Sequence, residues 1–477
     1  MAAAGIGAFS FLALSVRALT IRAPLWFDGP VLGIQEAIGA GRLYQPAALS
    51  SPPYVVTTHT PLSYWLGFPL YQAGFGPPGL RLLNALLILA CAAVVYFITR
   101  GIVAERQRLC GFFAACAFLL FPPVYHWSLL MRSPDALSCL FDLLTVLILL
   151  RMKAGGRREL LAGFLFFLAV ISKQSCIYTF GPVLLISTLQ APRRLVVGAQ
   201  RLISFAVPLV VFTLYMQGHT NSGFLTNVLY ANLVEGNAVT WATDVLFELF
   251  GFWIFAALVL RFCRAKPPLI ATWFYVSAAA GLLTDWKDGA NSVYFFEASA
   301  ALAMIAGQTL HSILNRRRTT VWVSCAALAA AIVLILGQSD TTAWQMVHPE
   351  NVHAYDELAD YLRSKRVAGR SLFSQDASLS LAVGEEPVWN DALVLSALRK
   401  QNRWDDSFPA LQLRTQKYYA VVILVNRFTT PALRDELANH YYRAAVFGGM
   451  HAPLVYLPMR SSHGPSRSLP LPVSEER

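Results

Sequence analysis

Charge is what this sequence has least of. Only 14% of its 477 residues are Asp, Glu, Lys or Arg, and acids are the scarcer sign, 27 against 38 Lys and Arg. Ordinary soluble domains carry about 25% charged residues. With 56% hydrophobic residues, a mean hydropathy of +0.50 and many apolar runs of membrane-spanning length, the chain reads as a multi-pass membrane protein. Cysteine is sparse too. Cys91, Cys110, Cys116, Cys139, Cys176, Cys263 and Cys325 all fall in or beside apolar segments. Such thiols are expected to pack, without disulfides and without a zinc site. Missing as well are a Walker loop, His/Cys metal spacing, a G-x-S-x-G elbow and a dinucleotide fingerprint, so nucleotide-driven transport has no local support. The first apolar run lacks a charged n-region and a clear cleavage site, and is expected to be a retained span.

What the chain has is a series of apolar runs at roughly 4–22, 79–99, 109–122, 134–150, 160–172, 176–190, 202–217, 244–260, 268–284, 293–312 and 320–337, which predicts about eleven spans. The segment 59–76, "HTPLSYWLGFPLYQAGFG", is broken by Pro61, Gly67 and Pro69 and is expected to be a short interfacial or re-entrant element. Positive charge sets sidedness. The loops 100–108, 151–158, 193–201, 261–266 and 316–318 are rich in Lys and Arg, while the alternate loops hold few. The net charge of +11 thus marks topology instead of nucleic-acid binding. Eleven spans put all five basic loops in the cytoplasm. Residues 23–58, "MRSPDA", "SKQS", "DWKDGANSVYFFE" and the polar region from 339 onward then share the outer face. The expected organisation is a membrane domain over 1–338, an extracytoplasmic α/β domain over 339–460 and a disordered tail over 461–477. Within the second, "NVHAYDELADYLRSKR" and "PALRDELANHYYR" have helical period, and "KYYAVVILVN" reads as a buried strand. No internal repeat is visible.

The scarce acids then become informative. Asp28, in "WFDGP", precedes a Pro30 suited to a first helical turn, so it is either an N-cap or a functional carboxylate. The helix it would open, "VLGIQEAIGAGRLY", is amphipathic and suits a membrane surface. Asp135 starts a span beside Arg132, and capping again competes with function. Asp142 lies two turns further in, where a carboxylate costs about 2.5–3.5 kcal/mol on insertion scales. Lys173 interrupts two apolar runs, either as part of a turn or as a point charge for a lipid phosphate. Asp285, Lys287, Asp288 and Asn291 crowd one loop, and Glu297 sits a turn into the next span, in register with Asn291 and Tyr294. His59 and Tyr64 flank the Pro61 turn and are expected to support a site at most. Acids and cations converging on one membrane boundary suit a substrate that is half lipid and half polar.

At these residues the sequence resembles the membrane glycosyltransferases of the GT-C fold that use polyprenyl-phosphate sugars. It is similar to bacterial members of the dolichyl-phosphate-mannose–protein mannosyltransferase and aminoarabinose-transferase-like superfamily. The resemblance covers most of the chain and rests on Asp28 after the first span, "HTPLSYWL", "RSPDAL", "SKQS" and "DGANSVYFFEASAALA". The sequence departs from the family in having Gly29 where some relatives have a second acid, and "HTPL" where two prolines are usual. The resemblance implies sugar transfer from a polyprenyl-phosphate donor to a cell-envelope acceptor at the outer, periplasmic face of the cytoplasmic membrane. Asp28 would be the catalytic or acceptor-activating carboxylate, Asp135 a second acid, and Lys173, Arg132 and Lys287 contacts to the donor phosphate. No cofactor is required by these residues, and a divalent cation stays open. The rival readings are a transporter or flippase of a lipid-linked sugar, which often shows repeats and broken spans in two halves, and an inert anchor for an outer sensor domain.

Overall fold

The structure, a computed structural model, describes residues 2–21, 28–125, 133–232, 236, 238–263, 268–287, 292–315, 318–424, 429–447 and 453–459. It is mostly helical with one small sheet, and it divides into two compact units. The first comprises Met1–Arg22, Thr58–Val228 and Val234–Val347, and the second Ala23–Thr57, Leu229–Leu233 and His348–Arg477.

A helix coincides with each of the eleven apolar runs, but they differ in length. Among the described residues, three are long and apolar enough to cross a membrane: Gly76–Ile102, Arg194–His219 and Ser292–Leu314, with the bent pair Trp241–Glu248 and Phe250–Phe262 as a fourth if counted as one span. Others are shorter, such as Gln107–Leu120 and Pro268–Thr284. At 1.5 Å per residue, a 17-residue helix rises about 26 Å, less than the roughly 30 Å of bilayer hydrocarbon. The helix Leu62–Gln72 carries Pro69 inside it and is shorter still at 11 residues. It rises about 16 Å, half a crossing.

Two buried arginines inside the helical unit are held by specific partners, because an unpaired charge in an apolar interior is costly. Arg81, 1% exposed, donates to the carbonyls of Ala18 and Ile21 at 3.1 and 2.7 Å and satisfies the end of the first helix. Arg201, in the helix Arg194–His219, donates to Glu159 Oε2 at 2.7 Å and to the Leu184 carbonyl at 3.0 Å. It also reaches Ser187 Oγ at 2.6 Å and Thr188 Oγ1 at 2.8 Å. One guanidinium thus joins the helices Gly156–Ser172, Gly181–Leu189 and Arg194–His219. Gly163 permits the approach, since a Cβ there would lie 2.3 Å from the Arg201 carbonyl oxygen.

The second unit is built on a four-stranded sheet of order β1-β2-β4-β3, with β1 Ser371–Ser374, β2 Tyr418–Ile423, β3 Tyr441–Val446 and β4 Leu454–Pro458. β1 runs parallel to β2, and the other pairs are antiparallel. Every residue of β2 is buried. Tyr418, Val421 and Ile423 enter one apolar core with Phe373, Trp389 and Leu395, while Tyr419, Ala420 and Val422 enter a second with Leu358, Leu362 and Leu372. Cover on both faces explains why this strand reads as an uninterrupted apolar run. The helical period read through "PALRDELANHYYR" stops early. The helix ends at His440, and the tyrosines that follow pair in β3 against β4. Two adjacent β-favouring aromatics outweigh the period there.

Residues of the first connection belong to this unit. Tyr54 N–H donates to the Val388 carbonyl at 2.8 Å, and Asn390 N–H to the Tyr54 carbonyl at 3.0 Å. The Asn390 amide accepts from Val56 N–H at 2.9 Å and donates to the Val56 carbonyl at 2.8 Å. Tyr54 and Val56 are core residues of the first cluster. In the helix Gly29–Gly39, Gly33 makes room for Asn390, whose Cβ would stand 2.6 Å from an added methyl.

Replacing Arg201 with Met leaves Glu159 buried with Arg158 alone beside it. Removing one partner of such a pair costs about 3–5 kcal/mol, so the thermal unfolding midpoint of the detergent-solubilised protein should fall sharply. A midpoint equal to that of the wild type would mean that the guanidinium does not hold these helices together.

Candidate functional site

In the helical unit the site begins with the helix Ser133–Arg151. Asp135 lies in its first turn, where the helix dipole favours an acid. Asp142 follows seven residues later, which at 3.6 residues per turn returns it to the same face. Both are buried, Asp135 at 4% and Asp142 at 0% exposure.

Lys173 meets this face from a second helix. It follows Ser172, the last residue of Gly156–Ser172, with extended backbone (φ −154°, ψ 116°) that ends the helix and turns the side chain inward. Lys173 is 3% exposed, its ammonium forms an ion pair with Asp135 Oδ1, and it stands 4.9 Å from the centre of the Tyr294 ring. Glu297, 3% exposed, lies in the first turn of Phe296–Leu314, close enough to feel the Lys173 charge. Gln174 ties the connection down, donating its amide to the Thr58 carbonyl and, at 3.2 Å, to that of Val228. Thr60 Oγ1 donates to the Val170 carbonyl at 2.8 Å. These bonds fix the segment that carries His59, half-buried, and Tyr64, 3% exposed.

Lys287 is half-buried, and burial first, then the Lys173 charge, push its ammonium below the usual lysine range. Asp285 is fully enclosed, and burial followed by the Glu248 charge raises it to about 7. Arg132, Asp288 and Asn291 lie outside the described residues. The structure therefore brings Asp135, Lys173 and Glu297 together around Tyr294, with Lys287 within electrostatic reach. It adds Asp142 and, unforeseen from spacing, Cys176. The donor atoms of Asp142, Cys176 and Glu297 lie within 4.8 Å of one another.

Asp28 belongs to the second unit. It sits at the N-cap of Gly29–Gly39 in helical conformation (φ −71°, ψ −24°), makes no side-chain capping bond and is 0% exposed. True caps in that unit look different, with extended backbone and an accepting oxygen. Asp376 accepts from Ser378 N–H at 2.9 Å, and Asp391 from Val394 N–H at 3.1 Å. Asp28 instead neighbours another acid. A Cβ on Gly29 would lie 2.7 Å from Asp376 Oδ1, and the charges of Asp28 and Asp376 act on one another and on Tyr355. Burial raises Asp376 from its ordinary 3.8 to about 6, its bonds from Ser378 oppose the rise, and the Asp28 charge adds to it. The arrangement suits a carboxylate able to exchange a proton near neutrality.

No family model and no curated protein matches the sequence. Among solved structures, the chain is similar to ArnT from Cupriavidus metallidurans in the apo state, with a TM-score of 0.65 and 15% identity over 98% of this chain and 100% of that one. The same protein bound to undecaprenyl phosphate gives 0.60 and 15% over 97% and 99%. The archaeal oligosaccharyltransferase AglB from Archaeoglobus fulgidus, in complex with an inhibitory peptide and a dolichol-phosphate, gives 0.50 and 12% over 93% and 74%. These proteins have the GT-C fold, and this chain shares it. At such identities the likeness is one of fold.

The raised value of Asp376 has a thermodynamic sign. Its folded-state pKa lies above the unfolded one, so the stability it contributes is present below about pH 4 and lost as the pH climbs through about 6. The loss is on the order of 2–3 kcal/mol. Asp376→Asn keeps the capping oxygen and should flatten this part of a stability-against-pH curve measured by chemical denaturation. A wild type that gains stability between pH 4 and 6 relative to the variant would contradict the assignment.

Proposed function

We propose that this GT-C chain is an integral-membrane glycosyltransferase that moves a hexosyl or pentosyl group from a polyprenyl-phosphate donor to a cell-envelope acceptor at the outer face of the cytoplasmic membrane. The observation that carries the proposal is the buried Lys173, ion-paired with Asp135 and set over Tyr294 at the end of an apolar helix. An ammonium is costly to enclose in such a bundle unless an anion meets it. In the ligand-free chain that anion is Asp135, and in the working enzyme it is the donor phosphate, with Lys287 and Arg132 adding positive charge.

Asp28 is assigned the proton of the acceptor hydroxyl. Asp376 stands beside Asp28, raised to about 6 chiefly by burial with the Asp28 charge adding to the rise, so the acceptor proton would meet a pair of acids one of which titrates where a general base works. The hydroxyl oxygen attacks the anomeric carbon, the bond from that carbon to the phosphate oxygen breaks, and the polyprenyl phosphate leaves. His59 and Tyr64 support the segment beside Gln174, and Asn291 and Glu297 complete the polar lining. The fold shared with ArnT over nearly the whole chain supports the class of reaction, and it leaves the sugar and the acceptor to side chains. A flippase would use the same amphiphile-binding features without chemistry.

Purified protein supplied with polyprenyl-phosphate sugars and an envelope extract should release polyprenyl phosphate and yield a glycosylated product. Asp28→Asn should fold normally and lose about 10²–10⁴ in rate. Near wild-type transfer by that variant would reduce Asp28 to a structural role, and movement of intact donor without product would identify a flippase. Lys173→Ala should bind polyprenyl phosphate at least about tenfold more weakly, equivalent to about 1.4 kcal/mol. Unchanged affinity would remove Lys173 from the donor site.

A further inference from the structure

Three helices deliver one thiol and two carboxylates to a single point inside the helical unit. Asp142 comes from Ser133–Arg151, Cys176 from the turn Cys176–Thr179 after Lys173, and Glu297 from Phe296–Leu314. Cys176 and Asp142 are 0% exposed and Glu297 is 3% exposed. Both carboxylate oxygens of Asp142 are enclosed and neither meets a hydrogen-bond donor at bonding geometry among the described residues, although the Cys176 thiol stands beside them. A satisfied structural aspartate would be expected to spend those oxygens on N–H or O–H groups. Here they face a thiol and a second acid.

We propose that Asp142, Cys176 and Glu297 form a binding site for a thiophilic divalent ion of the zinc type. Zinc accepts thiolate at about 2.3 Å and carboxylate at about 2.0–2.2 Å in tetrahedral geometry. Ligand atoms around such an ion stand about 3.5 Å apart, so donors already within 4.8 Å close on it by about 1 Å of side-chain movement. The thiol decides the class of ion. Magnesium and calcium select sites made of oxygen alone, whereas sulfur with carboxylate favours zinc and its neighbours.

Charge points the same way. Two carboxylates in an apolar bundle each cost about 2.5–3.5 kcal/mol on insertion scales, and a divalent ion offsets both. The one facing cation among the described residues, Lys173, is ion-paired with Asp135 and acts on Glu297 as well, so a single ammonium is shared among these acids. Ser138 Oγ contacts Cys176 Sγ and gives the thiolate a donor, as ligand-orienting neighbours do in metal sites. Binding would release the Cys176 proton and any held by the two acids. The site departs, at this residue, from the expectation that the thiols only pack. The proposal does not depend on the transferase reading.

The test uses full-length, untagged protein in detergent, stripped with a chelator and titrated with Co²⁺ as the probe. The wild type should bind one equivalent and show thiolate-to-cobalt charge-transfer absorption that Zn²⁺ abolishes and excess Mg²⁺ does not. Cys176→Ser, a near-isosteric change, should lose that absorption while eluting as a folded monodisperse species. Glu297→Gln should weaken Co²⁺ at least about tenfold, and Cys325→Ala should leave the band intact. Absence of the band in the wild type, or its survival in Cys176→Ser, overturns the site.

Discussion

The organising constraint is that an apolar helical bundle cannot leave a charge alone. Among the described residues of the first unit, each enclosed cation has a partner: Arg81 has two carbonyls, Arg201 has Glu159, and Lys173 has Asp135. The first two lie where helices must be joined or ended, and they read as structure. Lys173 differs in place. It ends a helix, its own N–H still bonded to the Ala169 carbonyl at 2.9 Å, and it sits over an aromatic ring whose face welcomes a cation. It pairs with one acid while a second, Glu297, stands near, and the proposal that it exchanges Asp135 for a donor phosphate rests on that arrangement.

Much of this was legible in the residues. Apolar runs locate the helices because a bilayer leaves few other solutions for the backbone. Lys173 and Asp135 stand out since charge inside such runs is rare, and the seven-residue step from Asp135 to Asp142 places both on one face. Helix length was less legible. The turn at Phe180 divides the run 176–190 into Cys176–Thr179 and Gly181–Leu189, an end that composition alone does not reveal. Arg201 shows a further limit, because an arginine counted among loop charges proves to be 7% exposed and committed to Glu159.

What was illegible shares one cause, contact between residues distant in sequence. Nothing in "SPPYVV" announces that Tyr54 and Val56 would complete a core with Trp389 and Leu395. Nor does the sequence near Asp28 reveal Asp376. The one local signal was negative: the residues that cap helices in this unit adopt extended backbone, and Asp28 does not. Cys176 escaped notice for the same reason, since its partners come from two other helices and its flanking sequence looks like packing.

A fold shared at 15% identity fixes the path of the helices and leaves the side chains free to vary. The weight of a functional reading therefore falls on groups that the fold alone does not require. A bundle could be built with Leu at 173 and Val at 135, and replacing a buried pair by apolar residues is often neutral or stabilising. It could equally do without acids at 142 and 297, whose cost on insertion is real. Stability does not explain this set of residues, and the proposed roles in binding charged species are argued from that. The same reasoning separates the two acid pairs. Asp28 lies beside Asp376, whose carboxyl burial raises, whereas Asp142 and Glu297 have a thiol beside them, and the two proposals, proton exchange and a soft ion, divide along that difference.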